Sequence, residues 1–275
     1  MGGFRWGLID DRWCGAHRGI SRRISSGGVV VGMSLLAKSS GMIQRLQCII
    51  CLLALIFGVS RTVAQTPPSE DFQQWTSVAA SWQVKPKLTV TAFGEVHIGN
   101  NVSQFDQELV SAGVTYSPTR WVSVGASYLY LHANPKLSGL NHENRLYSEI
   151  TFNAPAFHRF LISDRVRPEL RWEQLPGRAT YTQRYRNRIS LERPINIREK
   201  EYSPFVMWEK FYNANVEAWS RTRYYAGVAM HVSENESLQF YFMRQNDRYS
   251  RPFHKNVIGV SFLYHFGARA RHPQE

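Results

Sequence analysis

Apolar and polar residues alternate with a period of two along the chain from Phe72 to Phe266. The first block is typical, and one of its faces carries Thr76, Val78, Ala80, Trp82 and Val84. Successive side chains of a β-strand point to opposite faces, whereas a helical stripe repeats every 3.6 residues. Short turns separate the blocks, and neither an amphipathic helix nor a domain boundary interrupts them. The sequence therefore predicts one all-β domain.

Eleven such blocks can be counted along this part of the chain. They fall near residues 72–84, 88–98, 106–116, 122–131, 144–153, 160–173, 181–192, 202–212, 220–231, 237–245 and 254–266. Single-chain bacterial membrane barrels close with an even number of strands, so an odd count indicates a missed or an extra strand. We therefore predict a single antiparallel transmembrane β-barrel of about twelve strands, with ten as the alternative.

The chemistry of the two strand faces separates a membrane barrel from a soluble sandwich or a lipocalin-like barrel, which share this spacing. One face carries Trp, Tyr, Phe, Val and Ala with almost no charge, and the other carries Arg and Glu. A soluble barrel is apolar inside, whereas a barrel in lipid is apolar outside. The predicted lumen-facing charged residues are Glu95, Arg145, Glu149, Arg165, Arg167, Glu169, Arg171, Arg184, Arg186, Arg188, Glu209 and Arg223.

Aromatic residues and a few polar exceptions refine this prediction. Trp and Tyr residues cluster near the strand ends, as in the aromatic girdles of membrane barrels. Asp164, Asn187 and Lys210 fall on the apolar face, and we expect Asp164 or Asn187 to mark a bulge or a shifted register. Counting from a periplasmic C-terminus, we expect short turns inside and longer links outside, near 99–105, 132–143, 174–180, 213–219 and 246–253.

The N-terminal region has the character of an export signal. A basic start at residues 42–45 is followed by the apolar run 48–59 and by small residues before Gln65. We predict a cleaved signal peptide at 42–64, an over-extended or disordered N-terminus at 1–41, and the barrel domain at 65–275. All three cysteines precede the predicted cut, which excludes disulfide scaffolds and Cys-type zinc sites from the mature chain.

The charge balance changes once this leader is set aside. The whole chain has a formal charge of +12, but the segment after residue 64 keeps 25 Lys/Arg and 19 Asp/Glu, a charge of +6. A nucleic-acid partner is therefore not expected, although residues 159–198 are rich in Arg. The predicted location is the bacterial outer membrane, and the predicted partners are its lipid and the barrel-assembly machinery.

Two resemblances support this location. The last block resembles the C-terminal assembly signal of bacterial outer-membrane barrels through Gly259, Phe262, Tyr264 and Phe266, although nine residues follow Phe266. The order of features over residues 70–266 also resembles the domain of unknown function 2490 (DUF2490) family of outer-membrane proteins. The matching features are Trp75, Glu95, the 165–171 Arg/Glu series, Arg184, Arg186, Arg188, Glu209 with Phe211 and Asn213, and Arg223 before Gly227. This family implies a fold and a location, and no established reaction.

Several roles for the inward charges stay open. Carboxylates can pair with the arginines and close a structural barrel, or unpaired arginines can line a small pore for an anionic solute. The alternative is an outer-membrane hydrolase or acyltransferase that acts on lipid, for which His132, His142, His254 and His265 are the histidines to consider. They form no recognisable catalytic spacing, so we predict no enzyme, no metal site and no cofactor.

Overall fold

The structure is a computed structural model that describes residues 69–154, 159–198 and 200–266. The predicted signal peptide and the segment before it lie outside the described residues. The strands are β1 (Glu70–Lys85), β2 (Leu88–Gly99), β3 (Gln104–Tyr116), β4 (Val122–Ala133), β5 (His142–Asn153), β6 (Leu161–Leu175), β7 (Arg178–Glu192), β8 (Ile195–Ile197), β9 (Lys200–Asn213), β10 (Ala218–His231), β11 (Glu236–Asp247) and β12 (His254–Phe266). Helix α1 (Pro135–Ser138) and a 3-10 turn (Ala214–Val216) lie in links. No helix in the described part has the length and apolar character needed to span a membrane.

The strands form one closed barrel. Neighbours in the chain pair antiparallel from β1 to β7, β7 pairs with β9, and pairing continues through β10 and β11 to β12. Strand β8 pairs only with β9, so the sheet has the predicted twelve strands among the described residues, of which eleven form the wall. Because strand direction alternates, an odd wall brings β1 and β12 together in parallel. This parallel seam, from the Glu70–His254 pair to the Trp82–Phe266 pair, differs from the predicted all-antiparallel closure.

The two faces of the wall have the inverted polarity that the sequence predicts. Val124 and Ile258 are 43% and 48% exposed on the outside, whereas Arg167 and Arg186 are each 1% exposed on the inside. A soluble sandwich or lipocalin-like barrel has the reverse arrangement, so both alternatives are wrong. The fold is a barrel of the membrane type, with its apolar surface outside.

The links define two rims. The upper rim contains links 100–103, 134–141, 176–177, 214–217 and 248–253. The lower rim contains links 86–87, 117–121 and 232–235 and the described residues of two longer links, 154 with 159–160 and 193–198. Their lengths are similar at the two rims, so the expected excess of long links at one rim is wrong. The predicted long link at 174–180 is a two-residue turn, because Pro176 precedes Gly177, whose φ of 73° is the left-handed conformation such a turn needs.

The polar residues on the outer face need no bulge. Pairing between β6 and β7 is unbroken, so the expected register change at Asp164 or Asn187 is wrong. Instead, the Asn187 side-chain amide donates a hydrogen bond of 2.6 Å to the Asp164 carboxylate, which satisfies both groups on the outer surface. Lys210 is the direct cross-strand neighbour of Asn187 and also faces outward.

Candidate functional site

The barrel lumen collects the charged residues of β5, β6, β7 and β9. All twelve of the charged residues predicted for the lumen lie on the inward face, where ten are buried and Glu149 and Arg171 are half-buried. They share the interior with two apolar clusters, which the sequence did not separate from the lipid-facing residues. One cluster contains Trp75, Phe205, Met207, Tyr225, Tyr241, Met243 and Val257, and the other contains Leu109, Leu129, Leu131, Ala133 and Tyr147.

Two fully buried carboxylates, Glu169 and Glu209, each contact three arginines. Glu169 contacts Arg184 at 2.6 Å, Arg186 at 3.0 Å and Arg145 at 3.9 Å. Glu209 contacts Arg186 at 2.8 Å, Arg165 at 3.0 Å and Arg223 at 3.9 Å. Arg186 therefore bridges the two carboxylates, and its planar fork suits this double contact. We call Glu169, Glu209 and the arginines around them the lumen network.

The register of the β6–β7 hairpin explains why the neighbouring strands must supply carboxylates. Arg165 pairs directly with Arg188, and Arg167 pairs with Arg186, so like charges face each other across the hairpin. Such pairs repel unless anions lie beside them. Glu149 of β5 lies 2.6 Å from Arg167, and Glu209 comes from β9 on the other side. Adjacent strands therefore provide the compensation, rather than carboxylates that reach across the lumen.

Glu143 is a network residue that sequence reasoning did not select. It is fully buried, accepts a 2.7 Å hydrogen bond from Arg145, and accepts two hydrogen bonds of 2.8 Å from Arg171. Arg171 also contacts Glu173 at 2.6 Å. The fifth strand predicted from the sequence starts at residue 144, two positions later than the observed start at His142, and so Glu143 falls in a predicted loop. Glu143 and Arg145 are two residues apart, and residues at this spacing on a strand point to the same face. This spacing is the sequence feature from which the inward position of Glu143 can be predicted.

The contacts of the Phe211 ring with arginines are a second feature that the sequence did not reveal, although Phe211 is part of the family resemblance. The guanidinium carbons of four arginines lie within 6 Å of its centroid: 4.6 Å for Arg186, 4.9 Å for Arg223, 5.3 Å for Arg184 and 5.6 Å for Arg221. The ring itself has no exposed surface. An aromatic face attracts cations, and more strongly so where water is excluded. The Phe211 ring therefore lies among four arginines and attracts them where carboxylates are few.

Glu95 belongs to a different cluster from the other predicted carboxylates. Its carboxylate lies 2.6 Å from Nε2 of His97, and Nδ1 of that ring lies 2.6 Å from the Gln107 amide. The His97 ring stacks on Trp75 with centroids 3.8 Å apart and an interplanar angle of 1°. The Trp75 indole in turn donates to Gln73 at 2.9 Å. These hydrogen-bonded and stacked side chains of β1, β2 and β3 fill the lumen opposite the arginine-rich strands.

A cavity of about 80 Å³ remains inside the barrel. Hydroxyl side chains line one side of it, and Tyr147, Glu149 and Arg167 lie at its border with the lumen network. Its lining includes Thr91 and Thr115, which lie near the lower-rim ends of β2 and β3. A cavity of this size holds only a few water-sized molecules. It lies beside the lumen network, at the side of Glu149 and Arg167.

The histidines fall into outward and inward groups. His132 and His142 pair across β4 and β5 on the outer face, and Nδ1 of His254 lies 2.9 Å from the Asn246 side chain. His265 lies 2.6 Å from the Ser81 hydroxyl. Within residues 69–154, 159–198 and 200–266, no three His, Cys, Asp or Glu side chains come together as a metal-binding group.

A row of three polar residues crosses the lower rim. Nδ1 of His231 lies 3.0 Å from the Ser237 hydroxyl, and Nε2 of the same ring lies 3.8 Å from the Glu201 carboxylate. Ser237 is directly opposite His231 in the pairing of β10 with β11. Serine, histidine and carboxylate in this order are the groups used in nucleophilic catalysis. Neither Ser237 nor Glu201 stood out in the sequence, because only strand pairing brings them beside His231.

The C-terminal residues that resemble an assembly signal lie on both faces of β12. Phe262, Tyr264 and Phe266 point outward, and the last two rings make an edge contact at 4.6 Å. Gly259 points inward, where the ring of Tyr241 covers its Cα so closely that a Cβ atom would lie 1.9 Å from the ring. The glycine thus provides the space for a buried aromatic side chain.

Comparison with known proteins gives a family and two distant structures. A family model described as "Protein of unknown function (DUF2490)" matches residues 72–255. LpxR from Salmonella typhimurium is similar with a TM-score of 0.39 and 8% identity, over 65% of this chain and 83% of that one. The NanC porin is similar with a TM-score of 0.41 and 13% identity, over 70% of this chain and 95% of that one. No curated protein matches the chain.

Proposed function

The chain belongs to the DUF2490 family of proteins of unknown function, and we propose that it is an outer-membrane β-barrel whose lumen is closed by paired Arg and Glu side chains. In this role it forms a non-conducting structural wall. The apolar outer face suits lipid, and the aromatic end of β12 suits recognition by the barrel-assembly machinery. Lipid and this machinery are the partners that we propose.

The complete burial of the charged side chains is the observation that carries this proposal. The side chains of Arg186, Glu169 and Glu209 have no exposed surface. Ions cross a lumen only through water or through groups that replace their hydration shell. Buried arginines that are already bound to carboxylates offer neither a water path nor a free site for an anion.

A small anion pore is the competing use of the same residues. Eight of the twelve predicted lumen charges are Arg and four are Glu, so a lumen that opened would favour anions. The contacts of Glu169 and Glu209 with several arginines each argue against an open state. The pore hypothesis therefore applies to variants that lose this closure.

Planar-bilayer recording tests the closure directly. We expect the wild-type barrel to be silent and the double variant Arg186→Ala/Glu209→Ala to conduct, because it removes two paired side chains from the lumen without changing the net charge. A salt gradient gives the selectivity of the variant, which we expect to favour anions. The Glu173→Gln variant, at a half-buried position, is the matched control and stays silent. Steady anion-selective current through the wild type contradicts a closed wall.

Acyl hydrolysis at the lower rim is a second candidate function, favoured by the Ser237–His231–Glu201 row. The histidine is placed to accept the serine proton, whereas the Glu201 carboxylate, 3.8 Å from Nε2, has to move closer before it can orient the ring. Ser237 is fully buried, so a lipid ester reaches it only if the 232–235 turn moves. A fluorophosphonate probe tests this role: labelling that disappears in Ser237→Ala and persists in Ser81→Ala supports it. No labelling of the folded wild type refutes it.

A further inference from the structure

Lys210 is an isolated cation on the apolar outer face of the barrel. It lies on β9, three residues before the strand ends at Asn213 on the upper rim. Its direct neighbours across the sheet are Asn187 of β7 and Thr222 of β10, both uncharged. At about 3.3 Å per residue, its Cα lies roughly 10 Å along the strand from the rim. The flexible stem of a lysine spans much of that distance.

The charge of Lys210 is not neutralised by the protein. Lys210 forms no ion pair within the described residues. The outward carboxylate on that side, Asp164, accepts the hydrogen bond from Asn187 at 2.6 Å. Another outward cation, Arg244, is bound to Glu70 at 2.8 Å. A lone ammonium group on a lipid-facing wall is unfavourable unless it reaches an anion or the interface.

Two tryptophans hold this ammonium group in place. Nζ of Lys210 lies 5.4 Å from the ring centroid of Trp208 and 5.2 Å from that of Trp219. Both distances are within the range of cation–π attraction. Indole rings favour the boundary between lipid and water, where their N–H groups can donate to lipid oxygens. The cation and two potential donors therefore occupy one small area near the upper rim.

We propose that Lys210, Trp208 and Trp219 form a binding site for the phosphate group of a membrane lipid in the leaflet at the upper rim. The ammonium group pairs with a phosphate oxygen, and the two indoles contact the adjoining glycerol or sugar and the first acyl carbons. A phosphate is favoured over a carboxylate because lipids present phosphate at this depth. This inference rests on the proposed membrane location.

Native mass spectrometry of the detergent-solubilised barrel tests the site. The lipids are phosphatidylglycerol, lipid A and an uncharged diacylglycerol. We expect Lys210→Gln to bind the two phosphate lipids about tenfold more weakly than the wild type, the loss typical of one charge-assisted contact. Lys210→Arg retains binding. Lys85→Gln removes a cation at the other end of the wall and leaves binding unchanged.

The outcomes separate this site from the membrane proposal. Loss for both phosphate lipids supports a general phosphate site, and loss for lipid A alone supports a phosphorylated glycolipid as the ligand. Equal binding by Lys210→Gln and the wild type, or equal binding of diacylglycerol, overturns the site while the barrel still inserts into vesicles. Failure of the wild type to insert into vesicles overturns the membrane location, and the lipid site with it.

Discussion

Glu209→Gln is the substitution that tests the lumen network most directly. The carboxylate has no exposed surface and faces Arg186 at 2.8 Å, Arg165 at 3.0 Å and Arg223 at 3.9 Å. The amide keeps the shape of the side chain but leaves these arginines without one of their anions. Removing one partner of a buried pair costs about 3–5 kcal/mol. Arg186 keeps Glu169 and Arg165 keeps Glu149, but three buried arginines lose a shared anion at once. We expect a loss of this size in the free energy of unfolding.

Urea unfolding in phospholipid vesicles, followed by tryptophan fluorescence, measures this loss. The matched control is Glu173→Gln, whose side chain is 15% exposed and whose partner Arg171 keeps Glu143. Partly exposed pairs contribute little, so we expect the control to lose less than about 1 kcal/mol. If both variants unfold within about 1 kcal/mol of the wild type, the lumen network does not hold the barrel together, and our reasoning is refuted.

Three further substitutions test other parts of the barrel, each by the same unfolding measurement. Gly259→Ala is expected to lose about 1–3 kcal/mol, because the new Cβ atom displaces the Tyr241 ring, and the loss disappears in a Tyr241→Ala background. Val102→Asn is expected to gain about 1 kcal/mol, since Val102 has a φ of 59°, which β-branched residues adopt only under strain. Phe211→Leu is expected to lose about 1–3 kcal/mol, because an aliphatic side chain keeps the apolar contact but not the attraction for arginines. An unchanged unfolding midpoint in any of these contradicts the corresponding explanation.

Alternation along the strands was sufficient to predict the barrel and the direction of its side chains. A period of two fixes which residues share a face, and the charge on one face fixes which side meets lipid. The family resemblance is confirmed by the match over residues 72–255. The position of Val124 outside and Arg167 inside follows from this pattern alone.

Pairing between strands was not predictable in the same way. The partners of Glu209 depend on the register of β7, β9 and β10, and periodicity carries no information on register. The row of Ser237, His231 and Glu201 joins three strands for the same reason. Wall size was mispredicted for a different reason: the eleven blocks counted in the sequence correspond to the eleven wall strands, and the rule that bacterial barrels have even strand numbers raised the prediction to about twelve. The additional strand, β8, has three residues and pairs only with β9.

The parallel seam requires the first and last strands of the barrel, β1 and β12, to find each other during assembly. Ser77 and Ser261 meet there through a 2.5 Å hydrogen bond, although 184 positions of chain separate them. Contacts so remote in sequence require a large loss of loop entropy, and they form slowly. Until they form, the first and last strands each expose a row of unsatisfied amide and carbonyl groups, which a hydrocarbon environment does not tolerate. Insertion into lipid and the pairing of β1 with β12 are therefore coupled, and an incomplete chain that lacks β12 has no stable way to enter the bilayer.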